Sequence, residues 1–298
     1  MRKVDFFIIG APKSGTSSMC AYLGSHPNIE FSKPKEPNFF CTDLGNSKIL
    51  AKNHREYMEE CFRCDDYSDV LLGEGSTSYI FSSVAVKKIL TWQKAAKFIV
   101  MLRNPVDMVV SLFHEELQSL AEDQKSLESA WDLQEKRVKG ENLPLLCEKT
   151  FTLQYKQRCS IGTQLERVMS VVAKNQLLVI LFDDFVSDTL ACYENVLSFL
   201  GLPSDNRAEF PVINSSRANR SNFVRALSIG YMKYVQMFKA AFGIRSLAIG
   251  NLIARLNTRD QEVQPLNDEF RRRLLTEFRT EVDKLEYILQ RDLDHWKC

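Results

Sequence analysis

Four short apolar runs punctuate the chain, at residues 5–10 (DFFIIG), 70–73 (VLLG), 97–102 (KFIVML) and 177–182 (LLVILF). Each is too short for a typical helix and apolar at successive positions. Both of its faces are therefore expected to be buried, as in a strand of a parallel sheet. Helical patterns follow at 16–25, 82–93 and 190–200. Pro105, just past the third run, suits the first turn of a further helix, where its missing N–H has no partner to lose. Strands alternating with helices predict an α/β fold, a parallel sheet with helices on both faces. Farther on, Phe270, Leu274, Phe278, Val282, Leu285 and Ile288/Leu289 recur at three- and four-residue steps. That spacing predicts a long amphipathic helix within 267–296. No linker-like stretch and no repeat interrupts the pattern, so residues 1–298 read as a single domain with helical insertions near 115–170 and 221–260.

Charge and cysteine usage narrow the possibilities. The 39 Lys and Arg against 38 Asp and Glu leave a net charge of +1, which excludes a broadly basic nucleic-acid binder. A chain of 298 residues with 45% apolar content can bury a core without metals or disulfides. The first apolar run is too short for a signal-peptide core or a membrane span. The stretch 226–254 carries Lys233, Lys239 and Arg245, which argues against a span there as well. Of the eight cysteines, only Cys61 and Cys64 have ligand-like spacing, and no second pair completes a zinc site. Free thiols in a reducing cytosol, a cytoplasmic location and no bound metal are the expectation. The aromatic and basic stripe at 231–242 is either packed core, a lid, or a membrane-surface contact.

The sharpest chemical signal is GAPKSGTSS at 10–18, between the first strand and its helix. Small residues let the backbone wrap an anion closely, and the helix N-terminus offers free N–H groups and a positive dipole end. Ser14, Thr16 and Ser17 add hydroxyl donors, and Lys13 adds a point charge. In the NTPase version of such a loop, Lys follows the last Gly directly and a Ser or Thr then holds magnesium. Here Thr16 follows Gly15 and the Lys stands earlier, at 13.

Together with a strand ending in Arg103-Asn104-Pro105, and Ser111 eight residues after the Arg, this loop resembles the PAPS-dependent sulfotransferase family. PAPS is 3′-phosphoadenosine 5′-phosphosulfate. The glycan (heparan)-type and bacterial branch is closest in pattern. Lys35-Glu36-Pro37-Asn38-Phe39-Phe40 is similar to its Lys-Glu-x-x-Phe-Phe segment, and Gly73-Glu74-Gly75-Ser76-Thr77-Ser78-Tyr79 to its Gly-Glu-x-Ser/Thr-x-x-Tyr. The run 177–185, the segment 197–202, the basic loop 214–220 and the ending to Trp296 extend the likeness over most of the chain, thinning at 115–150 and 225–260.

The resemblance implies a P-loop-like fold and PAPS as co-substrate, with no metal. Lys13, Ser14, Gly15, Thr16 and Ser17 correspond to the 5′-phosphosulfate loop, and Arg103 and Ser111 to the 3′-phosphate site. Arg217 and Arg220 stand as donor-loop candidates. Glu36 corresponds to the general base, and Lys13 to the cation that stabilises the leaving phosphate. Saccharide or glycolipid acceptors lead, and small natural products, including alkaloid toxins, come second. Three departures bear on acceptor recognition: Gly75 stands where heparan-type enzymes often have Lys, Asp107-Met108 where many relatives are more basic, and Phe182-Asp183-Asp184 in place of Tyr-Glu-Asp. None of the four histidines occupies the context of the His base used in the small-molecule branch. His26 reads as structural or exposed, and His114 lies three residues after Ser111. Two rivals stay open: a P-loop kinase or NTPase, and a PAPS-binding relative without turnover.

Overall fold

The computed structural model describes residues 2–45, 47–62, 70–211, 213 and 266–298, together with the backbone of 217–219 and 258–260. Two compact units divide the chain. Met1–Val109, Gln157–Ile213 and Arg271–Cys298 form the first, and Val110–Lys156 and Asn214–Phe270 the second.

In the first unit, chain order runs β1 (Phe6–Gly10), α1 (Thr16–Leu23), β2 (Ile29–Phe31), α2 (His54–Cys61), β3 (Leu71–Gly75), α3 (Ala85–Trp92) and β4 (Lys97–Leu102). α4 (Pro105–Ser119) starts in this unit and ends in the second, which also holds α5 (Leu127–Asp132) and α6 (Gln134–Val138). α7 (Tyr155–Cys159) leads back to α8 (Ile161–Met169), β5 (Leu177–Leu181), α9 (Phe182–Ser187) and α10 (Thr189–Leu200). The antiparallel pair β6 (Arg217–Asn219) and β7 (Thr258–Asp260) belongs to the second unit. α11 (Asp268–Leu289) follows.

The five strands of the main sheet lie in the order β2-β3-β1-β4-β5, all parallel. Central β1 is buried at every position, as its unbroken apolar run requires. Alternate side chains serve opposite faces. Phe6, Ile8, Ile99 and Met101 pack with Met19 and Leu23 of α1 and with Val196 and Leu197 of α10. On the other face Phe7 stacks on Phe98 and meets Phe40 edge-on, both at 6.0 Å between ring centroids. Because all five strands run the same way, their carboxyl ends share one edge. The segments leaving β1, β3 and β4 there carry the loop at 11–15, Ser76–Tyr79 and Arg103, and Phe182 follows β5.

The strand at 70–73 extends through Glu74 to Gly75, and the one at 177–182 stops at Leu181, with Phe182 opening α9. Three-residue β2 was not foreseen. The long helix ends at Leu289, where Gln290 takes φ 52, and Trp296 sits in a separate short turn. Of the segment 221–260, only 258–260 falls among the described residues; Arg220, Cys64 and the stripe at 231–242 lie outside them. In the second unit, Arg137 is fully buried and bidentate to Glu122 at 2.6 and 2.7 Å, and Tyr155 donates to the same carboxylate at 2.8 Å. That buried charge is satisfied on both sides, as burial demands.

Candidate active site

The loop after β1 is built for close approach. Lys13 (φ 64) and Gly15 (φ 81) both take the left-handed conformation. At Gly15 a Cβ would also press on Phe185 at 3.0 Å and Phe182 at 3.3 Å, so only glycine fits without strain. Gly15 is the N-cap of α1, no side chain caps the helix, and its first turn holds no acidic residue. Among the described residues, no amide from Lys13 to Ser17 donates to a backbone carbonyl. These open donors at the positive dipole end form an anion cradle. Lys13 and Ser17 are half-buried, whereas Ser14 and Thr16 are buried, and the Ser14 hydroxyl turns back to the Pro12 carbonyl at 3.4 Å.

Arg103 joins this loop from the end of β4. Its Nη1 donates to the Lys13 carbonyl at 3.1 Å, and its guanidinium stacks 4.7 Å over the Phe182 ring. Its Nε is buried without a partner, and Asp107 stands 3.9 Å from Nη2, beyond hydrogen-bond reach. A guanidinium left under-satisfied beside an open helix N-terminus fits a phosphorylated ligand. Ser111 is half-buried on α4, eight residues past Arg103. Arg217 lies in strand β6 rather than in a loop, and only its backbone is described.

Glu36 sits in a strained turn, with φ 59 at Glu36 and φ 55 at Asn38. Lys35 Nζ approaches one carboxylate oxygen at 2.9 Å, Lys48 Nζ the other at 3.0 Å, and the Thr77 hydroxyl donates at 3.1 Å. Burial pushes its pKa up, but the two ammonium groups outweigh this and hold it at about 2. The turn carrying Thr77 is itself tied to β1, since the Ile80 amide donates to the Ile9 carbonyl at 2.8 Å. Thus the Glu36 carboxylate is linked to the strand that leads into the loop at 11–15.

Several side chains escaped sequence reasoning. Lys48 lies twelve residues from Glu36 in a loop, and no periodicity marks it. Thr77 and Phe182 stood inside recognised segments without an assigned role. Glu74 stood just after the run at 70–73, in the Gly-Glu-x-Ser/Thr-x-x-Tyr likeness, also without an assigned role. It is fully buried, and burial raises its carboxyl to about 7 even though Ser76, Tyr57 and Tyr79 donate to it. The missing Lys at Gly75 has a steric reason: a Cβ there would lie 2.5 Å from Cys20 Sγ. Asp183 accepts from Trp296 Nε1 at 2.6 Å and pairs with His295, while Asp184 forms a two-pronged pair with Arg291. His26 is buried and structural. Its Nδ1 accepts the Asn28 amide at 3.1 Å, and Nε2 pairs with the Pro203 carbonyl at 3.1 Å.

A parallel sheet whose carboxyl edge presents a glycine-hinged loop, with an arginine bracing it, defines a P-loop-like fold. Comparison with known proteins gives the family: the sulfotransferase domain model matches residues 3–241, and the chain belongs to the sulfotransferase family. The membrane-associated sulfotransferase kil1 of Dictyostelium discoideum is 32% identical over 117 residues, covering 39% of this chain and 24% of kil1. The bifunctional heparan sulfate N-deacetylase/N-sulfotransferase 4 of Mus musculus is 27% identical over 209 residues, covering 68% of this chain and 23% of that protein. The matches thus span about a quarter of the length of these curated relatives. A sulfotransferase from Alicyclobacillus acidocaldarius shares the fold, with a TM-score of 0.61 at 24% identity over 84% of this chain and 100% of that one.

Proposed function

We propose that this chain transfers a sulfuryl group from PAPS to an acceptor hydroxyl, with saccharides or glycolipids ahead of small natural products. The observation that carries the reading is the Arg103 guanidinium bonded to the Lys13 carbonyl with its Nε unpartnered, beside the uncapped N-terminus of α1. Bound PAPS supplies an activated sulfuryl group on a phosphate leaving group. Lys13 and the loop amides neutralise charge that builds on the 5′-phosphate oxygens, and Arg103 binds the 3′-phosphate. Ser111 and Arg217 are assigned to donor binding on the sequence resemblance alone. Glu36, ionised at neutral pH, accepts the acceptor proton. A sulfuryl group carries less charge than a terminal phosphoryl group, which lessens the need for a metal. The names of the carbohydrate-modifying relatives support a saccharide acceptor. Among the described residues no helix is long and apolar enough to cross a membrane.

Adenosine 3′,5′-bisphosphate should raise the unfolding temperature without magnesium, by about 2.7 kcal/mol of added stability at 100 times its Kd. Lys13→Ala and Arg103→Ala should each weaken this binding, whereas Glu36→Gln should spare it and lower kcat by about 100-fold or more. Stabilisation only by ATP with magnesium would refute the donor assignment. An equal loss of bisphosphate affinity in Glu36→Gln would remove Glu36 from the base role.

A further inference from the structure

Glu74 has no counterpart in the roles above, yet it is a fully buried carboxyl bonded through Ser76 to the turn that carries Glu36. It lies opposite Phe7 in register, on the aromatic face of the sheet. Tyr57 and Tyr79 donate to Oε2 at 2.5 and 3.1 Å, and Ser76 donates to Oε1 at 2.5 Å. Two of these hydroxyls are themselves acceptors. The Asn38 amide donates to Ser76 Oγ at 3.0 Å, and the Phe40 amide to Tyr79 Oη at 3.5 Å. The carboxyl thus orients each hydroxyl so that a lone pair faces the backbone of the 36–40 turn. That turn contains two non-glycine residues in the left-handed region, Glu36 and Asn38. Such a conformation persists only where its surroundings fix it. Thr77, adjacent to Ser76, then meets the Glu36 carboxylate directly.

We propose that Glu74 is a positioning residue: through the Ser76 and Tyr79 hydroxyls its carboxyl fixes the backbone of Asn38 and Phe40, and so holds Glu36 at the reacting group. The proposal rests on the base role given to Glu36 above. It adds a four-member chain, from buried carboxyl to hydroxyl to amide to base, that needs no contact between Glu74 and the ligand. Glutamine at position 74 replaces one acceptor oxygen by a donor, and three hydroxyl donors cannot all be accommodated. Ser76→Ala breaks the same chain one link later while leaving the carboxyl in place.

The experiment combines amide hydrogen exchange, followed by mass spectrometry on peptides covering 36–40, with steady-state kinetics and bisphosphate binding. In Glu74→Gln and in Ser76→Ala, exchange at 36–40 should accelerate several-fold while exchange in β1 and β4 stays at the unsubstituted rate. kcat should fall about 10- to 100-fold, as for a misplaced reacting group, with bisphosphate Kd within about twofold. Combined with Glu36→Gln, either change should cost nothing further in kcat, because the base it positions is gone. Unchanged exchange at 36–40, or exchange raised equally across the sheet, overturns the positioning role. A kcat loss that multiplies with that of Glu36→Gln also overturns it. If Glu36→Gln alone keeps kcat, the base reading fails, and the exchange pattern still decides whether Glu74 orders the turn.

Discussion

Two carboxyl groups, Glu36 and Glu74, bonded to the neighbouring hydroxyls of Thr77 and Ser76, are driven in opposite directions by their surroundings. Glu36 is held at about 2 because its burial is outweighed by Lys35 and Lys48. Such a carboxylate is ionised at any working pH but is a weak base while both lysines stay on it. Replacing Lys48 with Met removes one cation and must raise the proton affinity of Glu36. The acid limb of kcat/KM should move up by about one pH unit, measured as a pH profile with donor saturating. Glu74 is shifted the other way, from an ordinary 4.5 to about 7, by burial, with the Glu36 carboxylate adding to it and three hydroxyls opposing it. A raised folded-state pKa means that its contribution to stability is full below pH 4.5 and lost as pH rises through 7. Glu74→Gln cannot titrate, so urea unfolding across this window should show a flatter profile for the variant than for the unsubstituted protein. Tyr57 and Tyr79 do not titrate in the window, because burial pushes both phenols well above 10.

At the level of elements, the start of α9 does two jobs. Phe182 lies beneath the Arg103 guanidinium, and with Phe185 it fills the space below Gly15. Phe182→Leu should therefore weaken bisphosphate binding about three- to tenfold, in line with the loss of a partly buried cation–π contact. In an Arg103→Ala background the same change should cost little, and isothermal titration of the four proteins measures the coupling. The strands that deliver these residues were legible because parallel strands are buried on both faces and so show as unbroken apolar runs. β2 escaped notice because three residues, with Glu30 between two apolar ones, carry no usable period. The loop between β1 and α1 was legible from its glycines and hydroxyls. The grip of Lys35, Lys48 and Thr77 on Glu36 was not, since pairing across loops depends on where the turn at 36–38 aims each side chain. Phe182 was expected to end a strand and instead begins a helix, because an apolar residue at that junction suits either element.

Over the whole molecule, residues distant in sequence brace one another within the first unit. Trp296 is buried, donates through Nε1 to Asp183, and accepts at its carbonyl from Asn104 Nδ2 at 3.4 Å. Asp183 directly follows Phe182, and Asn104 directly follows Arg103, so one turn near Trp296 braces both supports of the anion loop. Trp296→Ala should cost about 3–5 kcal/mol in chemical unfolding, as for other buried aromatic truncations. The same bracing has a bearing on how the protein is made. A nascent chain that reaches only the end of α10 contains the loop at 11–15, Arg103 and Phe182, but not Trp296, whose contacts pin their flanks. The contacts of Asp183 and Asn104 with Trp296 can therefore close only after α11 and the turn beyond it have been translated.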